Sequence, residues 1–172
     1  MPRLLGPCEA DSGEGTVITP QEMEEIVKFA EADERFGVAF RGALSQIRHR
    51  LHLESAGYEI KVAQSDNRGE PDFIINGKRM EHKRARNEKY SDGCLKAEFQ
   101  KSRGKVPMRL YNDSFADLVS VDVSHHTGVA NDYRYARASH LRPHKDYPQK
   151  IASMQRIGES WTTDLQLLLE KE

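Results

Sequence analysis

The sequence predicts an α/β fold: a mixed sheet of four or five strands flanked by helices, with the elements in the order ααβββαββα. Three patterns support this prediction: apolar residues at helical spacing in the first third of the chain, a strong hairpin signal in the middle, and β-prone runs in the second half. The chain has 172 residues, of which 37% are hydrophobic and 31% are charged. A chain of this size and composition can bury one substantial core, so we expect a single domain.

The expected boundaries follow from local composition. Pro, Gly, Ser and acidic residues are frequent in 1–16, which predicts a flexible tail. The domain is expected over 17–172, with a helical part at 19–55, a core at 56–141 and a C-terminal helix at 157–170. The two cysteines are far apart and form no CxxC pair, and no apolar run suits a signal peptide or a membrane span. A cytoplasmic protein without disulfides is therefore expected.

Two helices open the predicted domain. Thr19 is a typical N-cap, Pro20 suits the first helical position, and Glu22 completes a capping box. A second helix is predicted over 36–55, followed by Gly57 as a C-terminal cap. Its expected buried face carries the apolar residues Phe40, Leu44, Ile47, Leu51 and Leu53.

The strongest local signal is a hairpin over 71–83. A first strand is expected at 58–63, and Asn76-Gly77 then joins the β-prone run before it to an alternating run after it. Asp72 falls at the start of one hairpin strand. Glu81 and Lys83 are two residues apart on the other, so they share one face. Two carboxylates and an ammonium are thus expected to converge without an apolar partner.

This convergence suits phosphoryl chemistry. Asp72 and Glu81 offer the hard oxygen ligands that Mg²⁺ takes together with water and phosphate. Such an ion polarises a phosphoryl oxygen and lowers the pKa of a bound water. Lys83 would lie beside that water and help to orient and deprotonate it. The alternative is an ordinary surface hairpin with solvated charges.

The pattern Pro71-Asp72, spacer, Glu81-His82-Lys83 resembles the PD-(D/E)XK nuclease superfamily, which includes many restriction endonucleases. The resemblance implies a restriction-endonuclease-like core and a Mg²⁺-dependent DNA endonuclease, with Mn²⁺ as a substitute ion. It implies in-line attack of water on a phosphodiester, which leaves a 5′-phosphate, and a type II restriction endonuclease as the first interpretation. It also implies that the backbone carbonyl of His82 is a metal ligand.

The chain departs from the family pattern at one place. Many members carry a further metal-site glutamate on the preceding helix, and its place here falls near His49, which is not an acid. Glu54 and Glu70 are candidate substitutes. If neither reaches the metal, a site for one ion is expected.

Basic residues concentrate after the hairpin. Eleven basic and four acidic residues lie between Lys78 and Arg109, although the whole chain carries a formal net charge of −1. A local basic field can hold a polyanion, and the alternative is a solvated charged face. A helix is predicted over 95–103. The candidate contacts to DNA are Arg84, Arg86, Lys89, Gln100, Lys101 and Arg103.

The last third of the chain completes the prediction. The run 115–123 is apolar enough for a central strand, a turn follows at 125–128, and 132–138 is its partner strand. A short helix is expected at 149–157 before the C-terminal helix. Four histidines could suggest zinc, but Pro143 and the lack of nearby cysteines favour loop histidines. The four are His125, His126, His140 and His144.

The expected partner is double-stranded DNA, and a palindromic target would require a homodimer. Two alternatives remain open at this stage. One is a structure-selective nuclease of the Holliday-junction resolvase or repair type. The other is a non-catalytic nucleic-acid-binding domain, against which the intact set of Asp72, Glu81 and Lys83 argues.

Overall fold

A computed structural model describes residues 18–62, 71–101 and 104–170. It confirms the α/β class, with a five-stranded mixed sheet, a separate two-stranded sheet, and helices. The chain divides into two compact units between Phe40 and Arg41. The tail predicted at 1–16, together with Glu70 and Arg103, lies outside the described residues.

Helix α1 spans Pro20–Ala32 and begins as the sequence predicts. The Glu22 backbone N–H donates to Thr19 Oγ1 at 3.2 Å, and the Thr19 N–H donates to Glu22 Oε2 at 2.8 Å. This capping box satisfies two helix-end donors. Helix α2 spans Glu34–Ser55, so it begins two residues before the predicted position and runs through the division between the units.

The predicted buried face of α2 is wrong. Ile47 and Leu51 are 48% and 53% exposed, whereas Ser45 and His49 are 3% and 0% exposed. Only Leu53, at 1% exposed, was expected to be buried and is. The apolar residues alone misplaced the stripe, because the part of α2 that faces inward meets polar groups to which it can hydrogen bond.

Seven strands follow the long helix, and β3 pairs in parallel with β5 while the other paired strands are antiparallel. The large sheet has the order β1-β2-β3-β5-β6, and the small one pairs β4 with β7. The bounds are β1 Ile60–Val62, β2 Phe73–Ile75, β3 Lys78–Arg84, β4 Leu95–Glu98, β5 Leu118–Asp122, β6 Tyr133–Arg137 and β7 Met154–Ile157.

The hairpin between β2 and β3 is confirmed. Asn76 and Gly77 have φ of 46° and 80°, and this pair of left-handed residues matches the right-handed twist of the strands. The central strand is confirmed as well, because every residue of β5 is buried, and β6 is its partner. The predicted turn at 125–128 is the short helix α3, Ser124–Thr127, closed by Gly128 at φ 71°.

The helices predicted at 95–103 and 149–157 are wrong: these stretches contain β4 and β7. Ala97 and Phe99 are both 0% exposed and are two residues apart, which is strand periodicity. The connection between the parallel strands β3 and β5 therefore contains a strand instead of the expected helix. At the C-terminus, α4 is limited to Gln166–Leu169 instead of the predicted 157–170, since Thr162 pairs with Tyr135.

Candidate active site

The structure brings Asp72 to the exposed edge of β3. Strand β2 pairs with β3 only as far as Phe73 opposite Met80, so the backbone of β3 beyond Met80 has no strand neighbour on that side. Asp72 fills this position: its Oδ2 accepts a hydrogen bond of 2.8 Å from the His82 backbone N–H. The N–H and C=O of one strand residue point to the same edge, so the His82 carbonyl faces the Asp72 side as well.

Glu81 and Lys83 lie on one face of β3, as expected from their spacing. Lys83 Nζ donates to Glu81 Oε1 at 2.5 Å, and the Tyr111 hydroxyl donates to the same oxygen at 2.8 Å. Glu81 is 4% exposed, so its charge is compensated almost entirely by these two donors. The ring of Tyr111 stacks on Phe115 at 4.4 Å, which holds the hydroxyl in place. No pattern in the sequence singled out Tyr111.

A small cavity lies beside these groups. Its volume is about 180 Å³, and its walls include Asp72, Lys83, Gln46 and Gly42. Gly42, on α2, has nothing within 4 Å of the place where a Cβ would be, so the helix leaves open space here. The cavity can receive a compact anionic group such as a phosphate.

The site holds its ionisable groups away from their ordinary behaviour. Burial, and then the negative charge of Glu81, raise the pKa of Asp72 to about 6. Burial alone would lower the pKa of Lys83, but the charges of Glu81, Tyr111 and Asp72 outweigh it and raise that pKa. Lys83 therefore remains an ammonium, so its chemistry is to supply positive charge and not, as the sequence suggested, to help deprotonate water.

The donor set fits a divalent cation. The repulsion between Asp72 and Glu81 that raises the Asp72 pKa is the repulsion that a bound cation would remove. Glu81 Oε2 accepts no hydrogen bond from the described residues, and no buried side-chain oxygen among them lacks a partner, so this oxygen is accessible to solvent. Two carboxylates with the His82 carbonyl match the few protein ligands that Mg²⁺ takes. No group of three or more His, Cys, Asp or Glu side chains converges within 18–62, 71–101 and 104–170.

The expected additional acid is replaced by an amide. Gln46 Nε2 donates to Asp72 Oδ1 at 3.1 Å from a position one turn before His49. Glu54 is exposed and pairs with Arg50 at 3.6 Å, and Glu70 lies outside the described residues. Gln46 supplies no charge to a second ion, which favours one metal ion over two.

Behind the site, the side chain of His82 enters a buried polar core. Its Nε2 and Nδ1 lie 2.9 Å from Ser45 Oγ and from Ser120 Oγ. The imidazole of His49 stacks on His82 at 4.5 Å, and its Nε2 lies 3.1 Å from the Tyr135 hydroxyl. Burial, followed by the Lys83 charge, lowers the pKa of His82 to about 3, and burial lowers the pKa of His49 well below its usual range. Both rings are therefore neutral.

The candidate DNA contacts differ in their freedom. Arg86 pairs with Glu88 and Glu98, and Gln100 donates to Glu98, so these two side chains are occupied within the chain. Lys89 and Lys101 are exposed, and Arg84 lines the small cavity. Arg103 lies outside the described residues.

The zinc alternative gains no support in the part of the chain that the structure describes, where no three-ligand cluster exists. His126 Nε2 lies 2.7 Å from the Arg86 carbonyl, and His144 Nδ1 accepts from the Asp146 N–H at 3.1 Å. Among the helices of the described residues, none combines the length and apolar character that a membrane crossing requires.

Comparison with known proteins identifies one structural similarity. No protein-family model matches the chain, and no curated protein matches it in sequence. A solved structure of a bacterial homing endonuclease, I-Ssp6803I, matches with a TM-score of 0.49 at 10% identity, over 70% of this chain and 78% of that one. Similarity at this level does not establish a shared activity, so the function proposed below depends on the side chains of this chain.

Proposed function

We propose that the protein is a metal-dependent DNA endonuclease. One observation carries the proposal: Asp72, Glu81 and the protonated Lys83 lie together at the exposed edge of β3, beside a cavity of about 180 Å³. Two acids and an ammonium with this geometry have no role in packing, and burying them costs stability. A charge arrangement kept at such a cost is typical of an active site.

The roles follow from the contacts. Asp72, Glu81 and the His82 carbonyl would hold Mg²⁺, with Mn²⁺ as a substitute. When bound, the ion supplies polarisation of the phosphoryl group and a more acidic water. Lys83 places its positive charge where negative charge develops on the phosphate. Tyr111 orients Glu81, and Gln46 orients Asp72 through its hydrogen bond.

The finer assignment extends this proposal. The substrate is double-stranded DNA, the product carries a 5′-phosphate, and the enzyme is of the type II restriction class in a cytoplasmic setting. Cutting both strands of a palindrome requires two copies of the site, so we propose a homodimer on DNA. A molecular mass of one chain per DNA duplex in sedimentation would contradict the dimer without affecting the nuclease.

The test is cleavage of long duplex DNA by the purified protein in Mg²⁺, resolved on a gel. Lys83→Met removes the ammonium, and Lys89→Met is the matched control because Lys89 is exposed. We expect discrete bands with wild type and with Lys89→Met, and none with Lys83→Met or in EDTA. Sequencing the fragment ends then gives the target and the position of the phosphate.

Two other outcomes have a clear meaning. A metal-dependent smear, or preference for branched DNA, would support a structure-selective nuclease in place of a restriction enzyme. The absence of cleavage in both Mg²⁺ and Mn²⁺, with DNA still bound, would contradict the enzyme and support a binding domain.

A further inference from the structure

A second and larger cavity lies beyond Arg84, and the proposed chemistry does not use it. Its volume is about 360 Å³. One wall is a face of α2, where Arg41, Ser45 and Arg48 recur at helical spacing. Arg84 lines this cavity and also the small one that contains Asp72, so the two cavities share a wall.

The cavity carries three arginines whose charges are not neutralised. Arg41 and Arg48 make no hydrogen bond or ion pair with any of the described residues. The Arg84 guanidinium donates to the neutral Asn87 Oδ1 at 3.3 Å. Burial lowers the pKa of Arg84, and the nearby charge of Arg41 lowers it further while Asp122 opposes it. An anion between these side chains would relieve the repulsion.

The acid in the wall of this cavity, Asp122, is already occupied. Its Oδ2 accepts from Ser45 Oγ at 2.7 Å, and its Oδ1 accepts from the Ser124 N–H at 2.9 Å. The third basic side chain type in the wall is His125, which burial and the Arg84 charge keep neutral by lowering its pKa to about 4. The described walls therefore carry three positive charges against one negative charge.

We infer that this cavity binds a backbone phosphate of the nucleic acid, close to the phosphate that is cleaved. The inference rests on the proposed endonuclease function. Guanidinium groups match phosphate oxygens in shape and charge, and such contacts set the position of a strand without reading its sequence. Because Arg84 belongs to both cavities, a strand whose scissile phosphate lies beside Lys83 can place a flanking phosphate here. A free phosphate ion has the same chemistry, and the experiment separates the two sources.

The test compares two variants of the same helix. The double variant Arg41→Ala/Arg48→Ala removes two of the three cavity arginines. Arg50→Ala is the matched control, since Arg50 lies on α2 but pairs with Glu54 and does not line the cavity. Fluorescence anisotropy of a labelled duplex in EDTA measures affinity at several salt concentrations, and thermal unfolding checks that each variant is folded.

We expect the double variant to bind DNA about 10- to 100-fold more weakly than wild type, from the usual strength of hydrogen bonds to charged groups. The slope of log affinity against log salt should fall by about 1, the value for one lost phosphate contact. Arg50→Ala should behave as wild type. Arg48→Lys, which keeps the charge, should lose less affinity than Arg48→Ala.

Equal affinity and equal salt slope in the double variant and in Arg50→Ala would overturn the inference. Sodium phosphate is the second probe: stabilisation of wild type but not of the double variant, with DNA affinity unchanged, would assign the cavity to a free phosphate and overturn the backbone assignment. Wild-type protein that neither binds nor cleaves DNA would refute the proposed function itself. A wild type that cleaves, beside a double variant that binds and cleaves equally well, would refute the inference alone.

Discussion

The two sides of strand β3 differ in how they bury polar groups. On one side, Glu81 and Lys83 remain charged and compensate each other at 2.5 Å. On the other side, His82 is 5% exposed and neutral, and it hydrogen bonds to Ser45 and Ser120. The alternation of side chains along a strand places the two arrangements back to back.

This difference separates two tasks. The charged side has an accessible cavity and groups with raised pKa values, which suits a reaction but stabilises the fold little. The neutral side has every polar atom satisfied and aromatic contacts between His49, His82 and Tyr133. We therefore expect changes on the charged side to act mainly on rate, and changes on the histidine side to act mainly on stability.

The largest expected effect is on the charged side. Asp72→Asn should reduce cleavage by about 100-fold or more, because a neutral amide replaces a metal ligand. The same change should raise the free energy of unfolding by about 1–2 kcal/mol near neutral pH, since the raised pKa of Asp72 shows that its buried charge costs stability. Single-turnover cleavage and urea unfolding measure the two quantities.

Asp146→Asn is the matched control for that pair of measurements, because Asp146 is exposed. It should change neither quantity. A loss of stability in Asp72→Asn comparable to its loss of activity would contradict the separation of the two sides.

On the histidine side, His49→Ala should lower the free energy of unfolding by about 3 kcal/mol, through a lost buried ring and an unpaired Tyr135 hydroxyl. Cleavage per folded molecule should change little. His140→Ala, at an exposed position, should stay within about 0.5 kcal/mol of wild type. A His49→Ala protein as stable as wild type would show that the polar core does not support the sheet.

The neutral histidines also predict a pH dependence. Their folded pKa values lie below the usual 6.5, so the unfolded chain binds more protons and stability falls as the pH falls below that value. Asp72 acts in the opposite sense, because its folded pKa of about 6 exceeds the usual 3.8 and the cost of its charge disappears on acidification. The net loss should be about 2–3 kcal/mol between about pH 7 and about pH 5.

Urea unfolding at several pH values measures this slope. Asp72→Asn should lose about 1 kcal/mol more than wild type over the same range, because it removes the opposing group. A stability that is flat with pH in both proteins would mean that the histidines protonate in the folded state.

The smallest expected effect concerns the support of Glu81. Tyr111→Phe removes one of the two donors to Glu81 Oε1 but keeps the ring on Phe115. We expect a loss of about 1 kcal/mol in stability and about tenfold in cleavage rate. Tyr147→Phe, at a partly exposed position, is the control. An unchanged rate in Tyr111→Phe would remove Tyr111 from the site.

The sequence anticipated the parts of this comparison that local rules decide. The turn at Asn76-Gly77 and the shared face of Glu81 and Lys83 follow from strand geometry alone. Tyr111 and Gln46 were missed because tertiary pairing, not local spacing, brings them to the site. Arg41 and Arg48 were missed for a different reason: attention to the basic segment after β3 overlooked basic residues on α2.

The errors in the helices have one physical origin. Ser45, His49 and Leu53 form the buried stripe of α2, although two of the three are polar and a hydrophobic pattern passes over them. Likewise, Leu95 to Gln100 contains too few residues to distinguish helical from strand periodicity. In both cases the partner surface decided the outcome, and the partner is distant in sequence.

The most direct test of the account is the single-turnover cleavage rate of Lys83→Met in Mg²⁺, measured together with its affinity for the same duplex in EDTA. The account predicts a rate lower by about 100-fold or more with an affinity within about threefold of wild type, because Lys83 supplies charge to the reacting phosphate. Equal rates in the two proteins, or a loss of rate fully explained by loss of binding, would contradict the assignment of the site.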